Sequence, residues 1–153
     1  MVNPVYSSIL EQDILDYLVD VREIERDELD ATSSLTLEEA VRESVANSDV
    51  EISRAVRVDG ELMCLFGVSP TDTNIGIPWF LATNAIHKYN KSFIKHIKIG
   101  IIPMLDKYDL LYNIIDSRNT TTTPWLRMLG FTMLHEFEMK KGYPVTLFEL
   151  RRT

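Results

Sequence analysis

Hydrophobic positions along the chain follow two periods, one helical and one alternating. In "SILEQDILDYLVDVREIE", Ile9, Ile14, Leu15, Leu18, Val19 and Val21 recur close to helical spacing, and Ser8 with Glu11 forms an S-x-x-E cap signal. "RDELDATSS" reads as a turn, and "TLEEAVRESVAN" as a second helix opened by a Thr36–Glu39 pair. Asp59-Gly60 lies between two strand-like runs, the strongest short-range hairpin signal. The run after it, "ELMCLFGVSP", is apolar on both faces and belongs inside a sheet. "IGIPWFLATN" reads as the next strand, with Pro78 predicting a bulge or irregular pairing.

A long helix is expected over "NAIHKYNKSFIKHIKIGIIPMLDKY". Ile86, Tyr89, Phe93, Ile97 and Ile101 mark its apolar side, while Lys88, Lys91, Lys95 and Lys98 mark a solvated one. Gly100 and Pro103 should weaken or kink its last turns. "DLLYNIID" is a strand, and "TPWLRMLG" a short helix with Pro124 in its first turn and Gly130 as its C-terminal cap. "FTMLHEFE" and "PVTLFELRR" close the chain as strands, and "MVNPVY" opens it as an edge strand. Hairpins mixed with strand–helix–strand crossovers predict an α/β fold on a mixed, twisted sheet of about six or seven strands. No linker interrupts residues 1–153, so one domain is expected.

Composition narrows the partners. The 153 residues are 45% hydrophobic and 25% charged, which suits a packed core, and the net charge of −7 repels phosphate backbones. Nucleic acid is therefore not an expected partner. No window is apolar for the ~18–20 residues that a membrane span needs, and no basic region followed by an apolar stretch marks a signal peptide. The lone Cys64, inside "LMCLF", reads as core packing.

Candidate chemistry is sparse. His87 and His96 share no i, i+4 face, and His135 and Glu136 point to opposite sides of a strand, so no metal site is expected. Trp79 and Trp125 read as core or pocket walls before partner hot spots. "ELDATSS" and the glutamate-rich helix starts read as solvated charge. Asp116, Arg118 and Asn119 form the best polar cluster, either a hydrogen-bonded turn or one wall of a pocket. A pocket, if kept, belongs between the ends of "PWFLAT" and "NIIDS", where neighbouring parallel strands part.

The element order and the stretch "IIDSRNTTTTPWLRMLGF" resemble the GNAT superfamily of N-acetyltransferases, which places an Asn before a short helix that ends in Gly-Phe. Asn119 and Leu129 to Phe131 match that spacing. Longer blocks, among them "LEEAVRESVANSD", "RVDGELMCLFGVSP" and "MLDKYDLLYNIIDSRN", resemble small GNAT-like bacteriophage proteins of the internal virion or internal core protein A type. Residues 10–150 carry that resemblance.

The resemblance implies an acyl-CoA site, which this sequence departs from at two landmarks. The family cradles pyrophosphate with a Q/R-x-x-G-x-G/A loop, whose glycines let backbone amides approach the phosphates. The corresponding loop "LATNAIHKYN" has no Gly, Gln or Arg. If acyl-CoA binds, Leu81, Ala82, Thr83, Asn84, Lys88 and Asn119 are the residues placed to hold it. The family's usual acidic Tyr, four residues before the Gly, is Leu126 here, which cannot donate a proton. No catalytic residue is assigned and no cofactor is expected, acetyl-CoA being the cofactor of the alternative. The expected function is a phage GNAT-like protein with a degenerate site, acting in the virion, in its assembly or in genome delivery. The alternatives are an active N-acetyltransferase and an inhibitor of a host protein. Partners are then other virion proteins or a host protein, and the location is the host cytoplasm during assembly and the virion.

Overall fold

The computed structural model describes residues 3–139 and 141–153, and the side chains of all of these but 90–92. Among the described residues, β1 (Val5–Ser7), β2 (Arg54–Val58), β3 (Glu61–Pro70), β4 (Ile75–Ala82), β5 (Leu110–Asp116), β6 (Thr132–Glu138) and β7 (Pro144–Arg151) form one seven-stranded sheet. Its order is β1-β2-β3-β4-β5-β7-β6. The β4–β5 pair is parallel and the others are antiparallel, so the sheet is mixed as expected. Asp59 and Gly60 both have positive φ, 51° and 81°, which is the turn that a two-residue hairpin requires. β3 lies between β2 and β4 and is buried from Leu62 to Val68.

Helices α1 (Glu11–Leu18), α2 (Glu23–Thr32) and α3 (Leu37–Ala46) precede β2. Helix α4 (Asn90–Lys107) crosses from β4 to β5, and α5 (Thr122–Met128) follows β5. Phe93, Ile97 and Ile101 of α4 and Trp125 and Leu126 of α5 pack with Phe66 in the larger core. Tyr17 of α1 and Val41 of α3 join Ala55 and Leu65 in a second, smaller one.

Three local expectations need correction. Residues 8–25 are not one helix and 26–34 are not a turn: α1 stops at Leu18, and α2 covers most of the presumed turn. Tertiary contact sets this break, because Val21 bridges Thr83 and the Asp20 carbonyl accepts the Asn84 N–H. The α1 cap also moves, since the carboxylate of Asp13, not Glu11, reaches back to the backbone N–H of Leu10. The long helix begins late, after a 3₁₀ turn over Asn84–Lys88, and it runs through Gly100 and Pro103 to Lys107. Lys88, Lys95 and Lys98 are exposed, while the side chain of Lys91 lies outside the described residues.

Pro78 makes no bulge, and β3 and β4 stay in register from Cys64↔Ala82 to Pro70↔Gly76. The reason is directional. The Pro78 carbonyl accepts a bond from Asn113 of β5, so its missing N–H also faces β5, where the ladder has already ended. β4 and β5 pair only at Ile75↔Leu110 and Gly76↔Leu111, and beyond these two pairs they part. At the far side of the gap, Gly130 ends α5 with φ of 104°. Phe131 then enters the core edge-on to Phe148, with 5.2 Å between ring centroids.

Candidate functional site

Parting two strands leaves backbone donors without ladder partners, and burial makes that costly. Three side chains close the gap between β4 and β5. Glu25 Oε1 accepts the Ala82 N–H of β4 at 2.8 Å. Glu28 accepts the Asp116 N–H of β5 on both carboxylate oxygens, at 2.7 and 2.8 Å. Asn113 spans the gap itself: its Oδ1 accepts the Ile114 N–H at 2.7 Å, and its Nδ2 donates to the Pro78 carbonyl at 2.8 Å.

Glu25 and Glu28 lie one turn apart on α2, which turns both toward the sheet, and Arg22 joins them from the extended N-cap position just before the helix. They are not solvated charge. Arg22 is 2% exposed and donates to Glu25 from Nη2 at 2.7 Å and from Nε at 3.3 Å. Its guanidinium also lies 5.0 Å from the centre of the Trp125 ring. Burial raises the Glu25 carboxyl against the opposing pull of Arg22. Burial likewise pushes Glu28 up to about 8, helped by the charges of Asp116 and Glu25.

The sequence-predicted residues fall into separate roles. Asp116 is buried, and the Arg118 side chain and backbone N–H both donate to it. Burial opposes ionisation of Asp116, but these bonds together hold it below the usual carboxylate range. Arg118 then lies over the Tyr143 ring, 4.3 Å from its centre. Asn119 is buried and caps α5, with Oδ1 accepting the Thr122 N–H at 2.9 Å. Of this cluster only Asn119 reaches the cavity described below.

In the loop after β4, backbone donors are already engaged: Thr83 N–H by Met63, Asn84 N–H by Asp20 and Ile86 N–H by Thr83. The Thr83 hydroxyl donates to the Leu62 carbonyl, and the Asn84 amide to Asp20. Ala85 and Ile86 point into the core, and Lys88 pairs with Glu61 at 2.6 Å. Leu81 lines the cavity, while Ala82 offers its N–H to Glu25. Leu126 is buried between the two sides of the cleft. Cys64 is fully buried, and burial raises its thiol well above the ordinary value. Among the described residues, no group of three His, Cys, Asp or Glu side chains could hold a metal ion. None of their helices is long and apolar enough to cross a membrane.

A cavity of about 370 Å³ opens where the strands part, between α1–α3 on one side and β4 and β5 on the other. An apolar void of about 60 Å³ lies on the α4 side and shares Pro78, Phe80, Leu126 and Phe148 as walls. Sequence reasoning placed the gap but missed Tyr17, Arg22, Glu25, Glu28 and Asn113. The i, i+3, i+6 spacing of Arg22, Glu25 and Glu28 was the available signal for three of them.

No family model matches the sequence, and no curated protein matches it significantly. Solved structures do match. A GNAT-family acetyltransferase from Streptococcus pneumoniae superposes with a TM-score of 0.66 at 10% identity, covering 99% of this chain and 100% of its own. Ribosomal-protein-alanine N-acetyltransferase from Brucella melitensis gives 0.68 at 12% identity, over 96% and 99% of the two chains. Spermidine N-acetyltransferase from Vibrio cholerae, solved with CoA and spermine, gives 0.69 at 10% identity, over 97% and 95%. The chain therefore has the GNAT fold, and at these identities the likeness speaks for fold alone.

Proposed function

We propose that this chain is a GNAT-fold binding protein with a degenerate acyl-CoA site, serving a bacteriophage particle or its assembly in place of acyl transfer. One observation carries the loss of the site: Glu25, Asn113 and Glu28 take up backbone groups that face the β4–β5 gap. A ligand lying along a parted strand relies on such groups for its main-chain bonds. The loop before α4 supports the same reading, because the amides of Thr83, Asn84, Ile86 and Tyr89 are engaged internally and it has no glycine to let phosphate approach. The resemblance of residues 10–150 to phage internal virion proteins supports the particle role. Calorimetric titration with acetyl-CoA tests the first part, with no saturable binding expected. Co-sedimentation of the protein with purified phage particles tests the second, with its absence from particles counting against a virion role.

A second reading is an acyl-CoA-dependent N-acetyltransferase. Glu28 favours it, because a largely desolvated carboxyl pushed up to about 8 beside a cavity is suited to accept a proton near neutral pH. Thiol release from acetyl-CoA with peptide and polyamine acceptors, abolished in Asn119→Ala, would establish that reading over the first.

A further inference from the structure

Helix α4 packs one side on the sheet, with Phe93, Ile94, Ile97, Ile101 and Met104 buried. The opposite side of such a helix is ordinarily polar, and toward its ends it is: Lys95, Lys98, Asp106 and Lys107 are exposed. Its middle is not polar. Ile99 and Ile102 are each 57% exposed, and Pro103, one turn after Ile99, is exposed beside them. Lys95, Ile99, Ile102 and Asp106 follow one another by four, three and four residues, the spacing of a coiled-coil seam. The outward row thus has a cation at one end, two isoleucines in the middle and an anion at the other. Among the described residues neither Lys95 nor Asp106 has an ion-pair partner, whereas Lys88, Lys107 and Arg152 are engaged with Glu61, Asp49 and Asp109.

We propose that two copies of the chain pair through this row, α4 against α4 and antiparallel, about a twofold axis level with the Gly100–Ile101 peptide. Such an axis sets Ile99 against the partner's Ile102 and Lys95 against the partner's Asp106, and it repeats both contacts on its other side. Reversing the row exchanges its two charges and leaves its centre apolar, so the row is its own complement. A twofold contact demands that property of a surface, and contact with an unrelated protein does not. Lys95 and Asp106 lie about 16 Å apart along the helix, so one shallow crossing brings both ion pairs together. A parallel pairing would set each charge against its own kind, which repulsion disfavours. Two isoleucines and a proline per copy form a small apolar centre, which places the dimer in the weak, concentration-dependent class. The pairing is independent of what the β4–β5 cleft binds.

The test is sedimentation velocity of the full chain from about 5 to about 500 µM, a range that brackets a weak contact. The average mass should rise from that of one chain toward that of two. Ile102→Glu should abolish the rise. Lys95→Glu and Asp106→Lys each put like charges at both ends of the contact, so each alone should weaken association about tenfold. An equimolar mixture of those two variants should associate as the unaltered chain does, because each supplies the charge that the other reversed. All three substituted side chains are exposed, so the melting temperatures should stay close to that of the unaltered chain. The proposal is overturned if the chain stays single at the highest concentration, if Ile102→Glu still dimerises, or if the mixture associates no better than either variant alone.

Discussion

Glu28 and Asp116 meet across the open end of the sheet, with both oxygens of the α2 carboxyl accepting one β5 backbone N–H at 2.7 and 2.8 Å. The N–H is available because β4 has left β5 by that point, and the carboxyl is half-buried and largely desolvated because α2 lies over the gap. One strand ending early therefore fixes the position of a helix and perturbs an acid.

That perturbation predicts a pH dependence. The Glu28 carboxyl stands at about 8 in the folded chain against an ordinary value of 4.5. A raised folded value means that the native state holds the proton more tightly. The contribution is then fully present below about 4.5 and is lost as the pH rises through about 8. Stability should fall between those limits by at most about 1.4 kcal/mol per pH unit for one proton. Glu28→Gln retains an acceptor for Asp116 but does not titrate, so it should flatten the fall. Glu25 is raised in the same direction, so the slope should not vanish. Denaturant unfolding at intervals across this range checks it, and equal slopes for both proteins would refute the assignment.

Arg22 and Glu25 form a buried ion pair, 2% and 7% exposed at their side chains. Glu25→Ala removes the counter-charge and also leaves the Ala82 N–H without its acceptor. A loss of about 3–5 kcal/mol is expected, as for other buried pairs broken on one side. Arg22→Met combined with Glu25→Leu deletes both charges and should cost clearly less than Glu25→Ala alone. Chemical unfolding of the two variants decides this, and a double variant that loses as much as Glu25→Ala or more would show that the unpaired charge is not what the single variant suffers from.

Much of the sheet was legible because its signals are local. Asp59-Gly60, the doubly apolar β3 and the Gly130-Phe131 ending each carry their structure within a few residues. The fold resemblance followed from their order. What was not legible depends on contact between distant segments. Nothing near Val21 announces that it will bridge Thr83, yet that bridge separates α1 from α2. Glu25 and Glu28 look like solvated charge until β4 and β5 part and leave the amides of Ala82 and Asp116 to be satisfied. Pro78 looks like a bulge until its carbonyl is seen to face the gap. The polar residues of the candidate site are therefore consequences of the cleft, and only its position could be read in advance.

Gly100 should resist the substitution that helix propensity favours. Alanine in place of an interior helical glycine ordinarily gains about 1 kcal/mol. Here a Cβ at position 100 would lie 2.5 Å from Phe66 Cζ and 2.7 Å from Phe66 Cε1, with that ring only 3% exposed. Gly100→Ala should therefore destabilise by about 1–3 kcal/mol through overpacking. Phe66→Leu in the same chain should recover part of the loss. A melting temperature raised by Gly100→Ala would mean that the Phe66 ring yields freely.

Trp125 should be worth more than its place on a short helix suggests. It is 7% exposed, meets Phe80 edge-on with 6.4 Å between ring centroids, and lies beneath the guanidinium of Arg22. Its loss empties part of the larger core and removes the aromatic face from a buried cation. Trp125→Ala should cost about 3 kcal/mol or more, roughly 6–12 °C in melting temperature for a chain of this size. Trp125→Phe keeps an aromatic face for Arg22 with less volume, so it should retain more than half of that stability. Differential scanning calorimetry of both variants separates the contributions. An unchanged melting temperature in Trp125→Ala would mean that the indole does not support the core and faces a partner instead.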